Sequence, residues 1–468
     1  MRVAVEVGPL ELAEYQQAVR LVLRHPLITA SYPDRTALPL ARKWAAQLRT
    51  DFAEVLGYTL VSTGETVRLR RVQDTLDSTR PALTRARRPF DRTRYAYLVL
   101  ALSALGRSGS QIALGELADA VAAEAGRIDG LGMDTGRKAD RDAFVDAVAW
   151  LETRGALRMA DGSAAEWVND PEGAEALYDI DREVVAAVYS PSRVLQHLSS
   201  VTELLDGTDR DGSAQGINTQ GINAQRRLNA RRARRLVLEH PVVYYADVHP
   251  GLSGQLRSAA LTEDLERLTG LPLERRAEGV ALVNIGQRLT DVTFPGTGTV
   301  AQAALLLCAR IAGYLRRNSA RVEHHPAATA AERLAEAARR IDSALPDRGR
   351  VADLLAAAAA GLADVNLAVA DADDPGVADP DRGAADPDPE ATYPFLSEMW
   401  LRGELRRLVE EFGSGMSEKQ IADPAGLLGD ALGLLASAGL VARVDGGVLV
   451  LPLLARYRGV TAQLKESA

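Results

Sequence analysis

A mainly α chain with small β-hairpins, built from tandem winged-helix units and internally duplicated, is the architecture the sequence predicts, and three observations predict it. The decapeptide LVLRHPLITA, 21–30, returns as LVLEHPVVYY, 236–245. LRTDFAEVLGYTLVSTGETVRLRR, 48–71, lies against LTEDLERLTGLPLERRAEGVALVN, 261–284, with order and spacing held to within a couple of residues. The order helix, helix, helix, glycine, strand, turn, strand can then be read twice more, after each of these segments. Self-similarity in a fixed order reads as duplication, A-B followed by A′-B′.

Unit A is placed at 10–75. Its first helix ends at His25-Pro26, because proline lacks the N–H of the next turn and pushes the preceding residue out of the α region. Leu40, Trp44, Leu48, Phe52 and Val55 predict one long last helix, stopped at Gly57 and followed by strands 58–62 and 66–70. Unit B, 91–190, opens with YAYLVLALSAL and LGELADAVAAEA. Its third helix carries Phe144, Ala147, Val148 and Leu151 on one face, ends at Gly155, and leads to a hairpin whose turn is placed at Asp161-Gly162.

The polar stretch 206–226, which spells QGIN twice, reads as a linker. Unit A′, 231–292, repeats unit A, with His240-Pro241 and Gly270 in the matching places. Unit B′, 297–458, opens with GTVAQAALLLCARIAGYLRR. It closes on a helix face of Leu428, Ala431, Leu432 and Leu435, then Gly439 and a turn at Asp445-Gly446-Gly447. Against unit B, Asp430, Leu435 and Gly439 match Asp146, Leu151 and Gly155. An insertion at 371–392 interrupts B′, with eight acids and one base between Asp371 and Glu390, and is expected to be disordered.

Composition bounds the function. With 468 residues, 47% of them hydrophobic and 25% charged, the chain can build several cores, and two to four domains are expected. Aromatics at 5% are too few for the stacking platforms that grip single-stranded nucleic acid. The single cysteine, Cys308, lies in an apolar run and excludes an internal disulfide, so a cytoplasmic location is expected. The N-terminus carries acids where a signal peptide needs an apolar core, and no charge-free run reaches membrane-spanning length.

No catalytic, metal or cofactor site is predicted. There is no GxxxxGK[ST] and no G-x-S-x-G. His324 and His325 are adjacent and read as helix-surface residues, His25 and His240 as helix terminators, and Asp247 with Glu263 as solvated carboxylates rather than a Mg²⁺ pair. The net charge of −8 hides two basic clusters. Arg226, Arg227, Arg231, Arg232, Arg234 and Arg235 form one, and Arg85, Arg87 and Arg88 lead the other. The planar guanidinium suits a DNA phosphate or an acidic protein surface, and contact with double-stranded DNA is the preferred expectation.

The signatures DRTRYAYLVLALSAL, RAEGVALVN and LTDVTFPGTGTVAQAALLLCA, with the paired His-Pro helix ends, resemble the B subunit of the Wadjet anti-plasmid systems over nearly the whole chain. The resemblance implies a KITE protein, a tandem winged-helix element similar to the MukE-type subunits of bacterial condensins. It implies a kleisin-like partner, an SMC-like ATPase, DNA held by the assembly, a nuclease subunit met indirectly, a homodimer, nucleoid or plasmid association and no enzymatic activity. Two tandem pairs in one chain exceed the usual single pair. Two rivals are a stand-alone winged-helix regulator, which needs a base-reading helix rich in Arg, Asn, Gln or Ser, and a metal-dependent nuclease.

Overall fold

At His25 and again at His240 the chain leaves its helix where the following proline demands it, the two backbone N–H groups closing on Leu21 O (2.8 Å) and Leu236 O (3.0 Å). These ends recur in a computed structural model that describes residues 3–76, 81–189, 219–328 and 391–461. Excepted are positions 129, 172, 285, 287, 288, 291 and 293, and a few isolated residues between 332 and 339 are also described. The fold is mainly helical, with small antiparallel sheets. Two compact units emerge, the first chiefly 1–228 and the second chiefly the residues from 229 on.

In the first unit, α1 (Leu12–Arg24) buries Tyr15, Ala18, Val19, Val22 and Leu23 at helical spacing. A short strand β1 (Leu27–Thr29), which the sequence did not announce, follows the proline directly. The single last helix expected over Leu40 to Val55 is instead two, α2 (Ala37–Lys43) and α3 (Ala45–Asp51), broken at Trp44 and prolonged by a π turn at Phe52–Leu56. Leu38, Ala41, Leu48 and Phe52 are all buried, α2 lying against α1, β1 and β3 and α3 against β2. Gly57 ends the helix at φ +71°, a left-handed conformation that glycine adopts without strain. Strands β2 (Thr59–Ser62) and β3 (Thr66–Arg70) complete a sheet of order β1-β3-β2.

The next segment has the same order of elements with one addition. Helix α4 (Arg92–Leu105), strand β4 (Gln111–Ala113) and helices α5 (Leu114–Ala125) and α6 (Lys138–Thr153) precede β5 (Leu157–Gly162). The hairpin turn expected at Asp161-Gly162 does not form. Ser163 caps a helix α7 (Ala164–Asn169), and the partner strand is β6 (Ala176–Ile180), giving sheet order β4-β6-β5. Ala164, Trp167 and Val168 explain the difference: helical geometry buries all three, Trp167 edge-on to Phe144 with centroids 5.9 Å apart. Helix α8 (Arg182–Val188) follows.

In the second unit, α9 (Thr219–Glu239) starts inside the stretch expected to be linker; residues 206–218 lie outside the described residues. Strand β7 (Val243–Tyr244), helices α10 (Pro250–Leu256) and α11 (Ala259–Thr269), and strands β8 (Leu273–Arg275) and β9 (Gly279–Leu282) give sheet order β7-β9-β8. The register reproduces that of the first sheet. Leu60 faces Leu69 as Leu273 faces Leu282, and Ile28 faces Val67 as Val243 faces Val280. Gly270 has φ +69°, where Gly57 has +71°.

Helix α12 (Thr299–Asn318), strands β10 (His324–Pro326) and β11 (Thr392–Ser397), helices α13 (Glu398–Phe412), α14 (Glu418–Ile421) and α15 (Pro424–Ser437), and strands β12 (Val441–Val444) and β13 (Gly447–Val450) complete the chain. Sheet order is β10-β11-β13-β12, the earlier pattern with one strand added at the edge. The acidic stretch 371–390 lies outside the described residues.

Within each unit the two helix–sheet segments are locked where β1 or β7 meets the glycine ending α6 or α15. In the first, Thr29 Oγ1 donates to Arg154 O (3.1 Å) beside Gly155, φ +77°. In the second, Tyr244 Oη donates to Gly439 O (3.0 Å) and accepts from Leu453 N (3.1 Å).

The tip of the β2–β3 hairpin is pinned by α8: Glu183 accepts from Thr63 Oγ1 and from Glu65 N, the latter at 2.8 Å. Those hydrogen bonds, Thr63 first, hold the Glu183 carboxyl below its ordinary range. A depressed acid stabilises the fold above its unfolded value, about 4.3, and its contribution is lost as pH falls through the folded value. Glu183→Ala is therefore expected to lower amide-exchange protection at Glu65 severalfold at pH 7 and to remove its decline below about pH 4, with little change in overall stability because the site is exposed.

Candidate functional site

The basic helix α9 divides its arginines between water and the core. At about 100° per residue, Arg227, Arg231, Arg234 and Arg235 fall within about 100° of arc, so they form a stripe. That stripe turns inward along the helix: Arg226, Arg227 and Arg232 are exposed and Arg231 is half-buried, whereas Arg234 and Arg235 are 4% and 1% exposed. The six do not form one phosphate track. Arg234 and Arg235 are thus corrected from DNA candidates to interior residues, since a buried guanidinium reaches no DNA.

Arg234 is held by a built partner. Its Nε (3.1 Å) and Nη2 (2.5 Å) both donate to Asp264 Oδ2 on α11, and Nη1 donates to Ala230 O (2.7 Å). The pair sits beside the apolar cluster of Ala233, Val237, Leu261 and Leu265. Burying two charges is costly unless geometry and hydrogen bonds are good, and here the acid sees two guanidinium N–H groups. In the first unit the aligned acid, Asp51, is equally buried but has neutral donors: the Tyr15 hydroxyl, Ala4 N (3.2 Å) and Gln47 Nε2 (2.9 Å). Burial, with Asp51 next, drives the Tyr15 hydroxyl far above its usual pKa. The aspartate shared by LRTDF and LTEDL is the one sign of this pair that the sequence carries, and it names no partner for the acid.

Arg85, Arg87 and Arg88 occupy a tight turn. Thr84 N donates to Arg88 O (2.9 Å), Arg87 N to Thr84 O (2.9 Å) and Arg88 N to Thr84 Oγ1 (3.1 Å). Arg87 takes φ +63°. All three are exposed, and Arg85 pairs with Glu152 (2.7 Å). Arg94, in the same arginine-rich segment, is held by Asp91 (2.5 Å) and Asp146 (2.8 Å). A further arginine escaped notice in the sequence: Arg154 lies 3.4 Å over the Trp150 ring, and burial pulls its pKa down to about 10.

Other candidates resolve structurally. His324 and His325 lie on the exposed strand β10, not a helix as expected, and His325 stacks on Phe395 with centroids 4.6 Å apart. Successive strand residues point to opposite faces, so the two imidazoles diverge. Asp247 and Glu263 are both exposed, and among the described residues no group of three or more His, Cys, Asp or Glu is placed to hold a metal. Cys308 is fully buried, and burial pushes its thiol up to about 12, so it stays protonated and unreactive at neutral pH. The shallow pocket beside Tyr244 contains Glu274, already claimed by Arg276 (2.5 Å) and Arg456 (2.9 Å). No helix among the described residues is long and apolar enough to cross a membrane.

No curated protein and no solved structure matches the chain. A family model described as protein of unknown function (DUF2398) matches residues 19–385, from within α1 into the acidic stretch. That span is most of the sequence, and the chain belongs to the DUF2398 family.

Proposed function

We propose that this chain is a non-enzymatic, KITE-like tandem winged-helix subunit of a Wadjet-type SMC complex, contributing to defence against plasmids. In this reading it binds the kleisin-like chain, pairs with a second copy of itself and supports entrapment of duplex DNA by the SMC-like ATPase. The observation that carries it is the fourfold recurrence of helix, strand, two helices and two strands, the second copy inserting α7 between its last two strands and the fourth adding the edge strand β10 and the short helix α14. That order is the winged-helix pattern, and the matched register of the first and third sheets supports an internal duplication.

The third helices of the second and fourth copies, α6 and α15, favour a scaffold over a base-reading regulator. Past its first turn, α6 exposes Asp142, and α15 exposes Asp430, where a major-groove reader would carry donors for guanine and adenine. DNA contact is assigned to the exposed end of α9, Arg226 and Arg227, and it is independent of base sequence. Co-purification with the kleisin-like and SMC-like chains tests the assignment directly; a chain that remains alone, and monomeric by light scattering, defeats it. Within the assembled complex, Arg226→Glu with Arg227→Glu is expected to flatten the salt dependence of duplex binding by about 0.9 for each phosphate these side chains neutralise, leaving subunit assembly intact. An unchanged salt slope would remove these arginines from the DNA path.

A further inference from the structure

We propose that the basic turn at 84–88 and the outer face of α4 together form a docking surface for an amphipathic protein segment, an apolar anchor flanked by acids. The inference rests on the partner-binding half of the function proposed above and assigns that contact a place.

Helix α4 is apolar from Tyr95 to Leu102 without interruption, so its outward side carries no polar residue until Ser103. Leu98, Ala101, Leu102 and Leu105 fill the core, and Val99, on the other side, is 51% exposed. Surface helices ordinarily put polar side chains there. The corresponding helix of the second unit, α12, does so, with Gln302 exposed and Arg310 paired to Glu411. One turn before Val99 stands Tyr95, whose hydroxyl accepts from Ala82 N (2.7 Å), and next to Ala82 is Leu83, 36% exposed. The hairpin 82–90 is thereby fastened to α4 by Tyr95, with Phe90 edge-on to the same ring at 5.6 Å. Leu83 and Val99 flank this fastening.

The charge beside this apolar strip is positive. Of the three turn arginines only Arg85 has an acid, Glu152; Arg87 and Arg88 are exposed and make no ion pair among the described residues. An apolar centre with a charged rim is the anatomy of a protein interface, where desolvated anchors supply the energy and charges set orientation and partner choice. A duplex backbone would use the arginines and leave Leu83 and Val99 without a role, whereas an acidic amphipathic segment uses both.

The test labels the surface itself. Because Cys308 is buried and protonated, Val99→Cys gives the full-length chain one reactive thiol for an environment-sensitive fluorophore. The probes are the purified kleisin-like chain and a short DNA duplex. Saturable blue-shifted emission with the kleisin-like chain, and none with the duplex, is the expected result. In unlabelled protein, Leu83→Asp and Arg87→Glu with Arg88→Glu should each weaken that binding about tenfold or more, the scale of a hot-spot residue, while leaving the circular-dichroism spectrum unchanged. If the kleisin-like chain binds with normal affinity to all of these variants, the docking surface is overturned and the proposed function stands. A wild-type chain that fails to bind the kleisin-like chain at all overturns both. A label that responds to the duplex alone, with Arg87→Glu and Arg88→Glu weakening duplex binding, makes the surface a nucleic-acid contact instead and overturns the proposal.

Discussion

Asp264→Ala is expected to cost the second unit about 3–5 kcal/mol, the range for breaking a buried ion pair by removing one partner. The substitution leaves Arg234, 4% exposed, with Ala230 O as the remaining acceptor among its described hydrogen bonds and no carboxylate. Most of the cost is the desolvation of the surviving cation, so removing both charges should hurt far less than removing one. Arg234→Met with Asp264→Leu fills similar volume with apolar atoms and is expected to recover most of the stability, as buried pairs replaced by packed hydrophobes often do. Urea unfolding of the single and double variants, read as a double-mutant cycle, measures the difference. If the double variant is no more stable than Asp264→Ala, the charge pair is more than a compensated burial.

Gly439→Ala should cost about 2–4 kcal/mol from two separable causes. The left-handed backbone, φ +71°, is unfavourable for alanine by about 1–2 kcal/mol. In addition a Cβ there would stand 2.7 Å from Val242 Cγ1, and a methyl group pressed into packed apolar atoms adds overpacking strain. Gly446 separates the two, because its φ is +79° while nothing lies within 4 Å of its would-be Cβ. Gly446→Ala should therefore show the backbone cost alone. At Gly155 the nearest atom is Ser31 Oγ, also 2.7 Å away, and a serine hydroxyl can rotate aside, so Gly155→Ala should fall between them. Equal thermal-unfolding shifts for Gly439→Ala and Gly446→Ala would show that the contact with Val242 contributes nothing.

The elements legible in the sequence are those fixed by local chemistry. Pro26 and Pro241 end helices whatever surrounds them, and Gly57, Gly155, Gly270 and Gly439 take positive φ where a helix hands over to a strand. The turn at Asp445-Gly446 forms between β12 and β13, as that dipeptide predicts. Elements decided at a distance were missed. The segment 164–169 follows a Asp-Gly pair that suits a hairpin, but Trp167 finds Phe144 only once α6 is in place, and burial then favours a helix. The break at Trp44 was likewise not legible: on either side of it α2 lies against α1, β1 and β3 and α3 against β2, neighbours that come from other parts of the chain.

The arginine cluster shows the division most sharply. Sequence alone determined that 226–235 is strongly basic, because composition is a local property, whereas the helix that arranges these arginines as a stripe begins inside the stretch expected to be linker. The sequence also carried the matched spacing of the His-Pro ends and of the glycines Gly57 and Gly270, which recurs in the structure. Which side of α9 faces the core was decided by tertiary structure, since arginine is ordinarily an exposed residue and only an acid brought from another helix makes its burial tolerable. Asp264, 30 positions further along the chain, supplies that acid. The last part of the stripe is thereby drawn into the protein, and Arg226 and Arg227 before it stay at the surface.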